Sequence, residues 1–381
     1  MNILFVTQWY PNRQQAYFGI FVREHARAVH KAGHNVNVLA LSLHKSKGLF
    51  NSELNQITDE YGISTIQCEL HSCLKNVLYH LPFVQEYFLL KTYNHYLVQF
   101  KPDIIHSQVI YPAGLWGSAL ARRLKVPHVL TEHWSRLVDF SKSIYFTRAI
   151  KVYQSADAIL PVSAFLKTNI QSIVPGLRES QFSIVGNVVD NRLFYFQPEV
   201  KETETLTFCA VATWQAKKKP DKMPELFIRA LSILQQHHSR KINLVMIGGG
   251  DKTDELQEMC TSANVDARFT GFIPKEQIAD ELRKADYFVH ASAIETFSIV
   301  VAEALACGLP VVCSNAGALP ELINDENGIV CENTIENWTD ALNRAISIQY
   351  NRHQIAHYAM SRFSMEAIGE KISAIYSRLH L

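Results

Sequence analysis

Two carboxylates, Glu295 and Glu303, stand eight residues apart in ETFSIVVAE, and nearly everything between and around them is apolar. ADYFVHAS ahead of them reads as a buried strand and Gly308 as a helix stop. This predicts a helix within about Ser298 to Cys307, with Glu295 in the loop before it. Ile299, Val300, Val301, Ala302, Ala304, Leu305, Ala306 and Cys307 leave that helix no polar face, so Glu303 is expected to be buried. An ionised carboxylate out of water must be met by a partner. The two hydroxyls of a ribose would serve, and the backbone N–H groups at Thr296, Phe297 and Ser298 would suit a phosphate. The plainer reading is that Glu303 pairs with an Arg or Lys and that Glu295 is a loop acid near a helix dipole.

Other residues invite the same weighing. Gly248, Gly249 and Gly250 follow a strand and could let backbone approach a phosphate or sugar, or simply make a turn. His133, with Glu132 beside it, ends the predicted strand of PHVLTEHWS, where it is either a ligand contact or a structural histidine. Lys217, Lys218 and Lys219 form a basic run that is a solvated loop unless an anion sits there. No D-x-D pair occurs, so no carboxylate clamp for a divalent cation is indicated.

Short β-branched runs alternate with longer amphipathic ones. NILFVT, GIFVREHARAVHKAGH and NVNVLAL open the chain, and TLTFCAVAT, PELFIRALSILQQHH and INLVMIGGG begin a second round. Such alternation predicts β-α-β units on parallel sheets covered on both faces. SIVGNVVDNRLFYFQPEVKETET reads as the linker, which predicts domains over residues 1–188 and 189–363, with a boundary near Val189. RFSMEAIGEKISAIYSRL reads as one amphipathic helix, over about 364–381, that packs back on the first domain.

With 381 residues, 48% hydrophobic and 19% charged, two ordinary cores fit, and no apolar run is long enough to span a bilayer. The opening MNILFVTQWYP lacks the basic start of a signal peptide. Seven cysteines, without a C-x-x-C pair, suggest a reducing cytoplasm, and a net charge of +1 gives no reason to expect nucleic acid. The aromatic-rich LKNVLYHLPFVQEYFLLKTYNHYLVQF, with Tyr79, Phe83, Tyr87, Phe88, Tyr93, Tyr96 and Phe100, suits either packing on the first sheet or peripheral contact with a membrane.

HASAIETFSIVVAEALACGLPVVCSNAGALPELI resembles the nucleotide-binding segment of the retaining glycosyltransferases of the GT-B class, glycosyltransferase family 4, in which two Glu separated by seven residues face the donor. The opening strand and Gly19 loop, PHVLTEHWS, DAILPVSAFLKTNI, IVGNVVDNRLF and LVMIGGGDKTDEL are similar to further segments of that family, in order along the chain. The resemblance implies two Rossmann-like doubly wound domains facing across a deep cleft. It implies transfer of a sugar from a nucleoside-diphosphate sugar, UDP- or GDP-linked, to a hydroxyl of a glycan or lipid-linked acceptor. Retention of configuration, no metal and no other cofactor are part of that expectation, as is a role in bacterial polysaccharide or glycoconjugate synthesis.

On the same grounds Glu295 would orient donor-sugar hydroxyls, Glu303 the ribose, and Lys218 with the amides of Thr296, Phe297, Ser298 and Ile299 the diphosphate. Gly19 and Gly249 would allow close approach of ligand, and His133 would touch the sugar. One departure stands out: Thr213 occupies the position where the family commonly has an Arg, five residues ahead of a Lys. That departure keeps open a non-catalytic relative that binds nucleotide or a partner enzyme. A sugar epimerase or phosphorylase on the same frame is a further alternative.

Overall fold

A computed structural model describes residues 1–12, 15, 18–198, 204–216 and 221–380. The chain forms two compact units, one of Met1–Val188 with Met365–Leu381, the other of Val189–Ser364. Each unit is built on its own sheet. Two α/β domains on largely parallel sheets, as the strand-helix alternation requires, are therefore present.

In the first unit the strands are β1 (Asn2–Thr7), β2 (Asn35–Lys45), β3 (Asn51–Thr58), β4 (Ser64–Ser72), β5 (Ile104–Gln108), β6 (His128–Glu132) and β7 (Ala158–Pro161). They lie in the order β3-β4-β2-β1-β5-β6-β7, parallel throughout except that β3 runs antiparallel to β4. Ile3, Leu4, Phe5 and Val6 are all fully buried, because helices cover both faces of a central parallel strand. Ile3 and Phe5 pack with Val22, Ala26 and Val29 of the helix Ile20–Lys31 and with Ile368, Ile372, Ile375 and Tyr376. Leu4 and Val6 face Leu89, Trp116 and Leu120 on the other side.

The final helix runs Met365–Leu379 and completes the first of these cores. It is shorter than its sequence pattern suggests. Phe363 ends a separate helix, Arg352–Phe363, and Ser364 breaks the chain between them with ψ near 160°.

β3 has no counterpart in the sequence reading. NSELNQIT carries neither an apolar run nor a buried face, and its residues are almost all exposed, as an edge strand allows. Its place is fixed by pairing with β4 and not by a core.

The second unit has β8 (Thr205–Val211), β9 (Lys241–Ile247), β10 (Asp266–Gly271), β11 (Tyr287–His290), β12 (Val311–Ser314) and β13 (Gly328–Cys331) in the order β10-β9-β8-β11-β12-β13, parallel throughout. Leaving out β3, both sheets show the doubly wound order third-second-first-fourth-fifth-sixth. The strand order reverses between β1 and β5 in one unit and between β8 and β11 in the other. Open sheets of this kind bind ligands outside the carboxyl ends of the strands at that reversal.

Among the described residues no helix is long and apolar enough to cross a membrane. In the aromatic-rich segment, Tyr93 is buried, whereas Phe83 and Tyr87 are 59% and 62% exposed.

If the last helix completes the first core as its contacts indicate, truncating the fully buried Ile372 to Ala should lower unfolding free energy by about 2–5 kcal/mol in urea titration. A loss below about 1 kcal/mol would show that this helix contributes little there.

Candidate functional site

At the reversal point of the second sheet, the chain leaving β11 and the chain approaching the helix Pro224–His237 are stitched together. Met223 donates its N–H to the Ala291 carbonyl at 3.0 Å, and Ala293 donates to the Asp221 carbonyl at 2.8 Å. Ser292 Oγ–H adds a bond to the Asp221 carbonyl at 2.7 Å. These bonds fix Lys222 beside the loop that carries Glu295.

Lys222 Nζ donates to Glu295 Oε1, and His290 Nε2 reaches the same oxygen at 2.8 Å. Burial alone would raise the Glu295 pKa. The His290 hydrogen bond and the Lys222 charge outweigh it and hold the carboxyl down to about 2, so Glu295 is ionised at neutral pH. The His290 pKa is lowered as well, by burial first and by Lys222 next. The result is a fixed carboxylate and a fixed ammonium at the carboxyl end of β11.

The helix after this loop runs Ile299–Ala306, within the span expected. Its N-cap, Ser298, sits in the left-handed region at φ 72°, ψ 84°, and its side chain makes no cap bond. Its Oγ lies 3.3 Å from His290 Nε2 instead. For a residue with a Cβ this conformation costs of order 1–3 kcal/mol, so the surroundings must enforce it. The first-turn N–H groups of the helix have no partner within the helix and concentrate its positive dipole end here. Phe297 is buried edge-on against Phe363 at 5.1 Å and anchors the turn, so only its backbone is available to a ligand. Thr296 and Ile299 are partly exposed on either side.

Glu303 is 5% exposed, as its apolar neighbours require, and Lys275 Nζ lies 3.4 Å from its Oε1. The plainer reading thus has a specific partner. That lysine opens the helix Lys275–Lys284 directly after TGFIP.

Gly317 holds the loop from behind. A Cβ built on it would stand 2.1 Å from the Glu295 carbonyl oxygen, and its φ is +57°. Ala318 donates its N–H to that same oxygen at 2.9 Å. Gly249 is buried and faces the Phe272 ring, which a Cβ would meet at 3.1 Å.

In the first unit, Gly19 is the N-cap of Ile20–Lys31 at φ 70°, and a Cβ there would meet the Trp9 carbonyl at 2.3 Å. That helix brings Phe21 and His25 against the His133 ring, at centroid distances of 4.6 and 5.4 Å. Gly19 and His133 therefore belong to one cluster. His133 is 7% exposed, its Nε2 bonds Gln108 Oε1 at 2.8 Å, and burial followed by the nearby His25 and His106 holds its pKa well below 6.5. Glu132 is a structural carboxylate: the N–H groups of Ile110, His133 and Trp134 and the Tyr153 hydroxyl all donate to it.

Lys218, with Lys217 and Lys219, lies outside the described residues. Among the described residues the lysine that meets Glu295 is Lys222, which the sequence reading passed over along with His290. Lys218 is singled out by the family spacing, five residues after Thr213. Lys222 is tied to the start of the next helix, two residues ahead of Pro224, and that anchoring was the available signal. Thr213 is exposed in the loop after β8.

The family model described as Glycosyltransferase Family 4 matches residues 19–192, and that described as Glycosyl transferases group 1 matches residues 194–362. Two uncharacterized glycosyltransferases of Methanocaldococcus jannaschii are 24% and 29% identical over 60% of this chain. The chain spans 61% and 62% of their lengths. A D-inositol 3-phosphate glycosyltransferase of Corynebacterium jeikeium is 29% identical over 42% of this chain and 41% of its own. Among solved structures, Anabaena HepE in complex with UDP superposes with TM-score 0.72 at 17% identity over 100% of both chains. The sucrose-phosphate synthase of Thermosynechococcus elongatus does so with TM-score 0.72 at 17% identity over 99% of this chain and 98% of its own.

The buried histidines set an acid limit. Burial lowers the pKa of His25 to about 4 and of His128 to about 3, and drives His106 and His133 down in the same direction. Depressed folded pKa values mean that the unfolded chain binds more protons below about pH 6.5. Their contribution to stability is present above that pH and is lost as pH falls toward 4. Melting temperature should therefore already drop between pH 7.5 and 5, and a flat profile over that interval would contradict neutral buried imidazoles.

Proposed function

Because the chain belongs to the GT-B glycosyltransferases of family 4, we propose that it transfers a sugar from a nucleoside-diphosphate sugar to a hydroxyl of a glycan or lipid-linked acceptor, with retention of configuration. The observation that carries this reading is the Glu295 carboxylate, held ionised by Lys222 and His290 beside the uncapped start of the helix Ile299–Ala306. A carboxylate suits sugar hydroxyls, and an ammonium next to a helix N-terminus suits a diphosphate.

Bond cleavage at the anomeric carbon leaves growing negative charge on the diphosphate. Lys222 and the N–H groups after Ser298 are fixed before that charge appears, which is what electrostatic catalysis requires. Lys222 therefore adds a cation to the one expected at Lys218, and with the helix start as a further cationic element the step calls for no divalent ion at the diphosphate. Glu295 orients the donor sugar. Glu303 receives the ribose hydroxyls, with Lys275 balancing its charge at the rim. No side chain is assigned as a nucleophile.

Anabaena HepE forms a complex with UDP, and UDP is the nucleotide half we expect of the donor here. Exposed Leu74, Val77, Phe83 and Tyr87 on the first unit support a lipid-linked acceptor met at a membrane surface, and with it a part in polysaccharide or glycoconjugate synthesis inside the cell.

Thermal unfolding of the wild type and of Glu303→Ala with UDP, GDP, ADP, CMP and dTDP tests the donor class. One nucleotide should raise the wild-type melting temperature and leave the variant unmoved. No response to any nucleotide would favour the non-catalytic alternative. Turnover of the responding nucleotide's sugar conjugate should fall about 10²–10³-fold in Lys222→Ala, and a loss smaller than tenfold would remove Lys222 from the transition state. Gly317→Ala should cost roughly a hundredfold in kcat/KM by displacing Glu295, while the nucleotide shift persists. Unchanged kcat/KM there would show that the loop position is not critical.

A further inference from the structure

The first unit holds a second group of buried ionisable side chains that the transfer reaction does not use. Register places Glu69 of β4 directly beside Ser42 of β2 and Glu53 of β3, and His71 of β4 beside His44 of β2. Because strand side chains alternate, all of these share one face of the sheet.

Three of the groups gather closely without bonding. His71 Nε2 is 3.6 Å from Glu69 Oε2 and 4.0 Å from Glu53 Oε1. One donor atom from each of Glu53, Glu69 and His71 falls within a sphere of mutual distances below 4.8 Å. A histidine–carboxylate hydrogen bond would bring these atoms to about 2.7–3.2 Å, so the contacts are too long for that. Glu69 is 5% exposed, and among the described residues no hydrogen bond reaches its Oε1 or His71 Nε2. Glu53 and Glu69 are also direct cross-strand partners, an arrangement that like charges disfavour unless a cation lies between them.

We propose that Glu53, Glu69 and His71 bind one divalent transition-metal ion, Zn²⁺ fitting best, that pins the edge strand β3 to β4. One imidazole and two carboxylates suit that ion, and metal–ligand bonds of about 2.0–2.2 Å place tetrahedral donor atoms about 3.3–3.6 Å apart. The two spacings at His71, 3.6 and 4.0 Å, reach that range on closing by at most about 0.7 Å, and the two carboxylates stand within 4.8 Å of each other. His44 stands next to the fourth position: its Nε2 is 4.0 Å from Glu69 Oε2, its ring stacks on His71 at 5.0 Å, and Ser42 Oγ bonds it at 2.7 Å. The ion would supply what β3 lacks, since that strand contributes no buried side chain.

The test uses tag-free, full-length protein stripped with EDTA, then titrated with Zn²⁺ against a chromophoric chelator. The expected result is one Zn²⁺ per chain, a melting temperature raised by the metal, and slower amide exchange in residues 51–58. Glu53→Gln and His71→Ala should each weaken binding at least tenfold, while His30→Ala leaves it unchanged. Glu53 is largely exposed, so Glu53→Gln decides the matter even if His71→Ala fails to fold. Absence of stoichiometric binding would overturn the proposal, as would binding that Glu53→Gln leaves intact. Either result would mean that strand register alone brings these groups together.

Discussion

A carboxylate taken out of water has to be met, and much of this chain's organisation follows from how its buried glutamates are met. Glu132 is satisfied by three backbone N–H groups and a tyrosine hydroxyl, which makes it the post around which the loops after β5 and β6 are wound. Glu24 is held by Arg23 and Arg27 on a helix of the first core. Glu295 is held by Lys222 and His290, and Glu303 by Lys275. The kind of partner separates scaffold from site. Backbone donors fix a loop permanently, whereas a lysine at a strand end still has donors to offer a ligand.

The doubly wound order explains why the second set of partners exists where it does. At a reversal point the helices after the two central strands leave on opposite faces, so the space above the strand ends stays open. In the second unit that space is bordered by Lys222, Glu295 and the helix start at Ser298. Backbone hydrogen bonds between residues 221–223 and 291–293 keep the two loops in register. Small residues complete the arrangement: the Gly317 position cannot hold a Cβ without moving Glu295, and Ser298 is forced into a conformation that glycine would take more easily.

Much of the fold was legible because its signals are local. The continuous apolar runs of β1, β8 and β11 could hardly be anything but central parallel strands, and the all-apolar helix after Glu295 had to be interior, which makes Glu303 a buried carboxylate. The failures have equally physical causes. β3 carries no hydrophobic pattern because an edge strand buries no face. The helical period ran through Ser364 unbroken because periodicity reports side-chain faces and not the backbone turn that separates Phe363 from Met365.

From the sequence alone came the two rounds of strand and helix, the buried place of Glu303, the loop place of Glu295 and the helix start between them, since each depends on neighbours within a dozen residues. Tertiary structure decided that Lys222 faces Glu295, that His290 shares it, that Lys275 faces Glu303, and that Glu53, Glu69 and His71 meet. Those pairings join residues as far as 73 positions apart through strand order and register, and a charge on a loop carries no local mark of the partner it will meet.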